Sequence, residues 1–135
     1  MSLIRLRGNR DTELRLIAIM RAHGITGWRR GASLQWKVEG PKLKKFRVKP
    51  HFVFRTHRLA VFVDGCFWHG CPLHATQPKT NAAFWLKKLA ANRTRDRLVS
   101  HTLRARGWRV LRIWQHELSR KNERHLLARL HRALV

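Results

Sequence analysis

Thirty lysines and arginines stand against seven aspartates and glutamates in this chain of 135 residues, a formal charge of +23. Like charge at that density on one small domain repels itself and opposes compaction unless a polyanion is at hand. Nucleic acid suits such a balance first, and an anionic membrane surface second. The charge does not exclude a core, because 44% of the residues are hydrophobic, too many for a wholly disordered chain. The length fits a single domain over residues 1–135. No apolar run reaches the roughly 18 residues of a transmembrane helix. The N-terminus carries neither the apolar stretch nor the small-residue cleavage site of a secretory signal. A cytoplasmic protein with no membrane association is therefore expected. Cys66 and Cys71 are too few for a disulfide framework. Close together and flanked by histidines, they read as metal binding in a reducing compartment.

Hydrophobic periodicity divides the rest. Met1–Arg10 reads as a basic arm that a bound polyanion would order. Asp11-Thr12 offers a helix cap, Leu14, Ile17, Ala18 and Arg21 share a face, and Gly24 ends the run. Leu34–Val38 alternates as a first strand, and Lys42–Lys49 is a dense basic segment leading into Pro50. His51–Arg55 and Leu59–Val63 are strands, and the short Thr56-His57-Arg58 connection makes them an antiparallel hairpin. Gly65–Pro78 is a loop. Asn81 to about Arg106 has a helical pattern, with a bend expected near Asn92 and a stop at Gly107. Trp108–Trp114 is a further strand, and Asn122–Val135 a basic amphipathic helix with Leu126, Leu127, Leu130 and Leu134 inward. Helix, three strands, helix, strand, helix is the order of a small mixed α/β sandwich. Six Trp and six Phe with no Tyr are more rings than one small core is expected to hold. On a basic surface they suit stacking on bases or wedging between them, although any single Trp is more often a core or boundary residue.

The segment Cys66-Phe67-Trp68-His69-Gly70-Cys71-Pro72-Leu73-His74 places two thiols and two imidazoles within nine residues. Thiolate and imidazole are preferred Zn²⁺ ligands, and a closed structural site takes four. So short a loop can hardly wrap all four around one ion and still use His69 elsewhere, so a distant ligand is expected. His116, just after the Trp108–Trp114 strand, is the best placed. The predicted zinc set is Cys66, Cys71, His74 and His116, with His69 in place of His74 as the alternative.

The run Phe62-Val63-Asp64-Gly65-Cys66-Phe67-Trp68-His69-Gly70-Cys71-Pro72 resembles the signature of very short patch repair DNA mismatch endonucleases. Pro78-Lys79-Thr80-Asn81, Phe84-Trp85-Leu86-Lys87-Lys88-Leu89, Asn92, Arg95-Asp96 and Gly107–Trp114 followed by His116-Glu117-Leu118 continue the likeness, which extends over about residues 8–120. It implies a restriction-endonuclease-like α/β fold, a small mixed sheet flanked by helices. It also implies nicking of double-stranded DNA beside the T of a T:G mismatch, with Mg²⁺ for hydrolysis and a structural zinc. On the same basis His69 is the general base, and its imidazole can accept a proton near neutral pH. Glu13 and Asp96 are acidic active-site residues, and Asp64 could supply a further carboxylate. Phe67, Trp68 and Trp85 match an aromatic wedge, while Lys88 and Asn92 match residues that read the mismatched pair. A monomer in the bacterial cytoplasm, held at the nucleoid by DNA and working beside mismatch-repair proteins, is the cellular picture it carries.

One position departs from the pattern. The family's second strand begins Pro-Asp, and that aspartate is its principal Mg²⁺ ligand; here the dipeptide is Pro50-His51. Mg²⁺ wants anionic oxygen, and imidazole is a poor substitute. Gln115, where relatives often carry an acid, is a smaller departure. Three readings stay open: a mismatch nickase using Mg²⁺ or a softer ion such as Mn²⁺ near Glu13, His51 and Asp64; a mismatch- or structure-sensing DNA-binding protein with nicking lost; or a nickase with another DNA substrate. Plainer readings also stand beside the individual residues. Glu13 could serve only the helix dipole, Asp64 only a turn before Gly65, and Lys88 and Asn92 only a solvated helix face.

Overall fold

A computed structural model describes residues 2–38, 44–65 and 82–135. Its elements are α1 (Ser2–Ala22), β1 (Trp28–Arg30), β2 (Leu34–Val38), β3 (Lys44–Val48), β4 (Phe52–Phe54), β5 (Leu59–Asp64), α2 (Ala82–Ala105), β6 (Arg109–Trp114) and α3 (Glu123–Ala133), with short 3₁₀ turns at Gln115–Leu118 and Arg120–Asn122. Strand β5 is buried at every position, as a strand must be when both faces of its sheet are covered. Four strands form the sheet in the order β1-β4-β5-β6. The first two pairings are antiparallel, while β5 and β6 run parallel, from Leu59 opposite Arg109 to Asp64 opposite Trp114. A parallel pair needs a crossover rather than a hairpin, and α2 lies in the stretch that supplies it.

The pleat of β5 sorts its side chains into two cores. Leu59, Val61 and Val63 join Leu16, Ile17, Ile19 and Met20 of α1 and Leu126 and Leu130 of α3. Ala60 and Phe62 point the other way and join Leu34 of β2 and Leu103 of α2, with Trp36, Val48, Val99 and Trp108 packed at the edge. Helices α1 and α3 therefore cover one face, and α2 with the β2–β3 ribbon covers the other. Both long helices end as expected on glycine. Gly24 (φ +68°) and Gly107 (φ +86°) take the left-handed conformation. The next N–H in each case, Ile25 to Met20 O and Trp108 to Leu103 O, closes the helix end.

The hairpin, the strand at Leu34–Val38 and the mixed sandwich agree with the sequence reading. Several boundaries differ. The helix starts at Ser2 and runs through the residues expected as an arm and past the expected cap at Asp11-Thr12. Gly8 is the one interruption in that stretch, and a single glycine costs a helix only about 1 kcal/mol. Two strands were not foreseen. β1 has three residues, two of them arginines, and β3 is Lys-Lys-Phe-Arg-Val, whose charges hide the alternation. Helix α2 is continuous through Asn92, where a bend was expected, and the last strand begins at Arg109 rather than Trp108. The loop 66–81 lies outside the described residues. Most tryptophans with described side chains are boundary residues. Trp28 packs edge-on against Phe52 at 5.6 Å, and Trp36 stacks on Phe46 at 5.8 Å.

Phe54 is fully buried in β4, and truncation there removes a large side chain from the core between the sheet and α1. Phe54→Ala is expected to cost about 3–5 kcal/mol in urea unfolding followed by circular dichroism. A loss below about 1 kcal/mol would mean that the core does not run through β4.

Candidate active site

The ordered hydrogen-bond donors and charges converge on the C-terminal end of β5. Val63 N–H donates to Nδ1 of His51 at 3.0 Å. A backbone N–H can only donate, so Nδ1 is the acceptor and the neutral ring carries its proton on Nε2. That nitrogen lies 3.8 Å from Oε1 of Glu13. The other carboxylate oxygen of Glu13 accepts from Arg30, at 2.9 Å from Nε and 2.5 Å from Nη2. Helix α1, strand β1 and the residue preceding β4 thus meet through one glutamate. Neither His51 nor Glu13 is deeply buried, with side chains 24% and 16% exposed.

The next residue, Asp64, belongs to a second cluster. Its carboxylate is 6% exposed and accepts from Nη1 of Arg112 at 3.1 and 3.3 Å. The same guanidinium donates to Ser100 Oγ at 2.8 Å and to the Asp96 carbonyl at 3.1 Å, and lies 3.8 Å from the Asp96 carboxylate. Arg112 sits opposite Phe62 in the β5–β6 register, so its head reaches diagonally to Asp64. It also lies 4.4 Å from the centroid of the Phe62 ring, close enough for a cation–π contact. His51 approaches the same ring edge-on at 6.4 Å. Phe62 therefore has an imidazole at one side and a guanidinium at its face.

Helix α2 supplies a stripe of candidates. Trp85, Lys88, Asn92 and Asp96 follow a spacing of three and four, the spacing of one helix face. Each is half-buried, and the stripe continues through buried Ser100 and Leu103. The Lys88 ammonium is 5.8 Å from the Trp85 ring, and Phe84 meets Trp85 edge-on at 5.4 Å. Beyond β6, His116, His125 and Asn122 line a cavity of about 340 Å³ together with Arg112 and Arg129. Asn122 holds the 3₁₀ turn that carries His116 by donating to the His116 carbonyl at 2.9 Å. Buried Glu117 in that turn accepts from Arg129 at 2.5 Å and from Trp114 N–H at 3.0 Å. Arg129 in turn donates to the Arg112 carbonyl at 2.8 Å.

Of the residues singled out from sequence, Glu13 and His51 are brought together, Asp64 and Asp96 meet through Arg112, and Phe62 touches both His51 and Arg112. Trp85, Lys88 and Asn92 share a face. His116 lies on the far side of β6 from β5 in sequence order, within reach of the Arg112 cluster through their common cavity. Cys66, Phe67, Trp68, His69, Cys71 and His74 lie outside the described residues. Arg30, Arg112 and Glu117 were missed, and Arg129, expected on the basic face of the last helix, instead holds buried Glu117. Among 30 basic residues nothing marks an arginine that binds a carboxylate, although Arg112 at an inward strand position was a usable signal.

The donors near β5 suit Mg²⁺ poorly. Glu13 and Asp64 each already hold a guanidinium, and the remaining donor is an imidazole, whereas Mg²⁺ prefers uncommitted carboxylate and water oxygen. Among the described residues no group of three or more His, Cys, Asp or Glu side chains is gathered closely enough to hold a metal ion. The zinc set fits by chemistry, with two thiolates and two imidazoles, although only His116 of the four is described.

Sheet, helices and the charged cluster at the strand end define an α/β domain of the restriction-endonuclease-like class. The model of the family described as DNA mismatch endonuclease Vsr matches residues 1–74, more than half of the chain. The chain belongs to that family. It is 55% identical over 71 residues to the type II nicking enzyme V.NaeI of Lentzea aerocolonigenes, a match covering 53% of this chain and 43% of that one. It is 48% identical over 71 residues to the type II nicking enzyme V.XorIIP of Xanthomonas oryzae pv. oryzae, covering 52% of each. With the DNA mismatch endonuclease Vsr of Escherichia coli K12 it shares 38% over 87 residues, covering 63% of this chain and 53% of that one. The chain thus spans about half the length of the curated relatives it matches. The family match ends at residue 74, short of the 8–120 over which the motifs were read, so α2, β6 and α3 lie beyond it.

Asp64 and Arg112 are each a buried or half-buried member of one network, so their substitutions should not be additive. A double-mutant cycle over Asp64→Asn and Arg112→Gln is expected to give a coupling of about 1–3 kcal/mol in urea unfolding. Additivity within about 0.5 kcal/mol would mean that the pair contributes nothing to the stability of the strand end.

Proposed function

We propose that this chain is a DNA strand-nicking endonuclease that hydrolyses a phosphodiester beside the T of a T:G mismatch in duplex DNA. The observation that carries the reading is the Phe62–Pro72 run, which begins on β5 and falls within the stretch matching the Vsr family. The +23 charge supports a polyanionic substrate. In this reading His69 takes a proton from the attacking water, while Glu13 and Asp96 hold water or orient that imidazole. Phe67, Trp68 and Trp85 wedge into the stack, and Lys88 and Asn92 face the mismatched pair. Opening a duplex costs less at a mismatch than at a paired step, so deformability contributes to selection. Cys66, Cys71, His74 and His116 would hold a structural Zn²⁺ that staples the 66–81 segment to the end of β6. For the catalytic ion, the His51 imidazole favours one more tolerant of nitrogen than Mg²⁺, such as Mn²⁺.

His51 favours a second reading. With Nδ1 taken by Val63 N–H and Nε2 facing Glu13, the ring serves as a structural bridge, which suits a DNA-binding protein whose nicking is weakened or lost.

One assay separates the two. A labelled duplex with a single T:G mismatch, and its paired control, are incubated with the protein in Mg²⁺ or Mn²⁺. The first reading expects a nick in the mismatched strand only, better in Mn²⁺, with a rate about 10²–10⁴-fold lower in His69→Ala. Binding without nicking, with nicking appearing in His51→Asp, supports the second. Equal cutting of both duplexes would sink the mismatch assignment. Metal analysis tests the zinc separately: about one zinc per chain is expected, with loss of thermal stability on chelation. A stably folded, zinc-free protein would overturn it.

A further inference from the structure

Strand β1 runs antiparallel to β4, and β4 antiparallel to β5, so the C-terminal ends of β1 and β5 lie at the same end of the sheet. Arg30, Phe52 and Val61 stand in one row across it, close to Val63, whose N–H holds His51. The turn that follows Arg30 is tied to the same histidine. Gly31 N–H donates to the His51 carbonyl at 3.4 Å, and Gly31 takes φ +72°, a left-handed conformation that suits glycine. Lys49 lies over this turn. Its Cε is 3.5 Å from the point that a β-carbon on Gly31 would occupy, so the lysine stem runs past the bare side of the glycine. Arg30, Lys49 and His51 are thereby gathered around one turn.

The charges gathered there do not cancel. Nε and Nη2 of Arg30 share one oxygen of Glu13, and Nη1 has no acceptor among the described residues. Lys49 is exposed, with neither a hydrogen bond nor an ion pair among the described residues. Two cations, one carboxylate and the neutral His51 ring leave one net positive charge. Asp64, Asp96 and Arg112 in the second cluster leave one net negative charge. Phe62 stands between them, in contact with His51 and Arg112. An anion is therefore favoured on the Arg30 side of the strand end. An aspartate in the place of His51 would cancel the charge that favours it, so the imidazole leaves the two cations free for an outside partner. An exposed lysine is most often only solvated; this one is laid across a turn whose other cation also has a donor to spare.

We propose that Arg30 and Lys49 form a phosphate cradle on the His51 side of the strand end, with Nη1 of Arg30 and Nζ of Lys49 donating to the backbone of the bound duplex. The cradle rests on the DNA reading above and adds to it the residues that set the backbone against the site. Such contacts position a duplex without reading its sequence.

Fluorescence anisotropy with a labelled T:G duplex and its paired control, over a salt series with no Mg²⁺ or Mn²⁺ added, tests it. Loss of one cation–phosphate contact should reduce the steepness of log K against log salt by about 0.9. Lys49→Gln should show that change with both duplexes, and Lys49→Arg should keep the parent slope. The Glu13→Gln/Arg30→Gln double variant should show it too, although its net charge equals the parent's. Arg106 is exposed at the opposite end of the sheet, just before the strand that starts beside Leu59, and Arg106→Gln should leave the slope unchanged. An unchanged slope in Lys49→Gln or in the folded double variant would overturn the cradle and leave the DNA reading standing. So would an equal fall in Arg106→Gln, or weakening confined to the mismatched duplex. Lys49 is exposed, so its variant keeps the fold and decides alone if the double variant does not fold. Failure of the parent protein to bind either duplex would overturn the DNA reading and the cradle with it.

Discussion

The Arg112 guanidinium is the contact on which the strand end depends. It neutralises buried Asp64 on β5, bonds Ser100 and the Asp96 carbonyl on α2, and lies over Phe62. Its own backbone carbonyl accepts from Arg129 of α3, which in turn holds buried Glu117. A half-buried arginine is costly to desolvate unless nearly all its donors are matched. Here three nitrogens find oxygen and the flat face finds a ring. The helices on opposite sides of the sheet are thereby tied through one residue of β6. The same helix face that meets Arg112 through Asp96 and Ser100 carries Trp85, Lys88 and Asn92 further toward its N-terminus.

The hydrophobic framework was legible in the sequence because burial imposes a period. β5 is apolar from Leu59 to Val63, Gly24 and Gly107 punctuate helices, and the Leu126–Leu130 spacing marks α3 as amphipathic. Where charge competes with period, the reading failed. β3 alternates Phe46 and Val48 with Lys45 and Arg47 in sequence, but its flanking lysines made it read as a dense basic segment. β1 is too short to show a period at all. The candidate site was legible for its acids, since seven among so many cations draw notice. Their partners were not, because choosing Arg30 for Glu13 or Arg112 for Asp64 requires tertiary placement that no spacing encodes.

His51 shows how one substitution reshapes the options at a strand end. An aspartate at this position would place a second carboxylate beside that of Glu13, and two such neighbours repel each other unless a cation is bound. Imidazole removes that repulsion and accepts the Val63 N–H, so the strand end is satisfied internally. The same exchange that steadies the protein without an ion takes away an oxygen donor that a hard cation needs. Internal satisfaction of the strand end and affinity for Mg²⁺ are thus opposed by the chemistry of one side chain.

The placement of the acids bears on the excess charge. Glu13, Asp64, Asp96, Glu117 and Glu123 each lie within salt-bridge distance of a cationic or titratable partner, joining α1 to β1, β5 and α2 to β6, the 115–118 turn to α3, and α3 to His23. The other two, Asp11 and Glu39, fall where side chains are not described. Five of seven acids are therefore committed to internal joints. Spread over the surface instead, the same carboxylates would have relieved repulsion among many lysines and arginines at once. The fold uses them to hold its elements together and leaves most cations unneutralised by its own chain. That arrangement gives up self-screening, and it gains only where a polyanion supplies the missing charge and releases its counterions on binding.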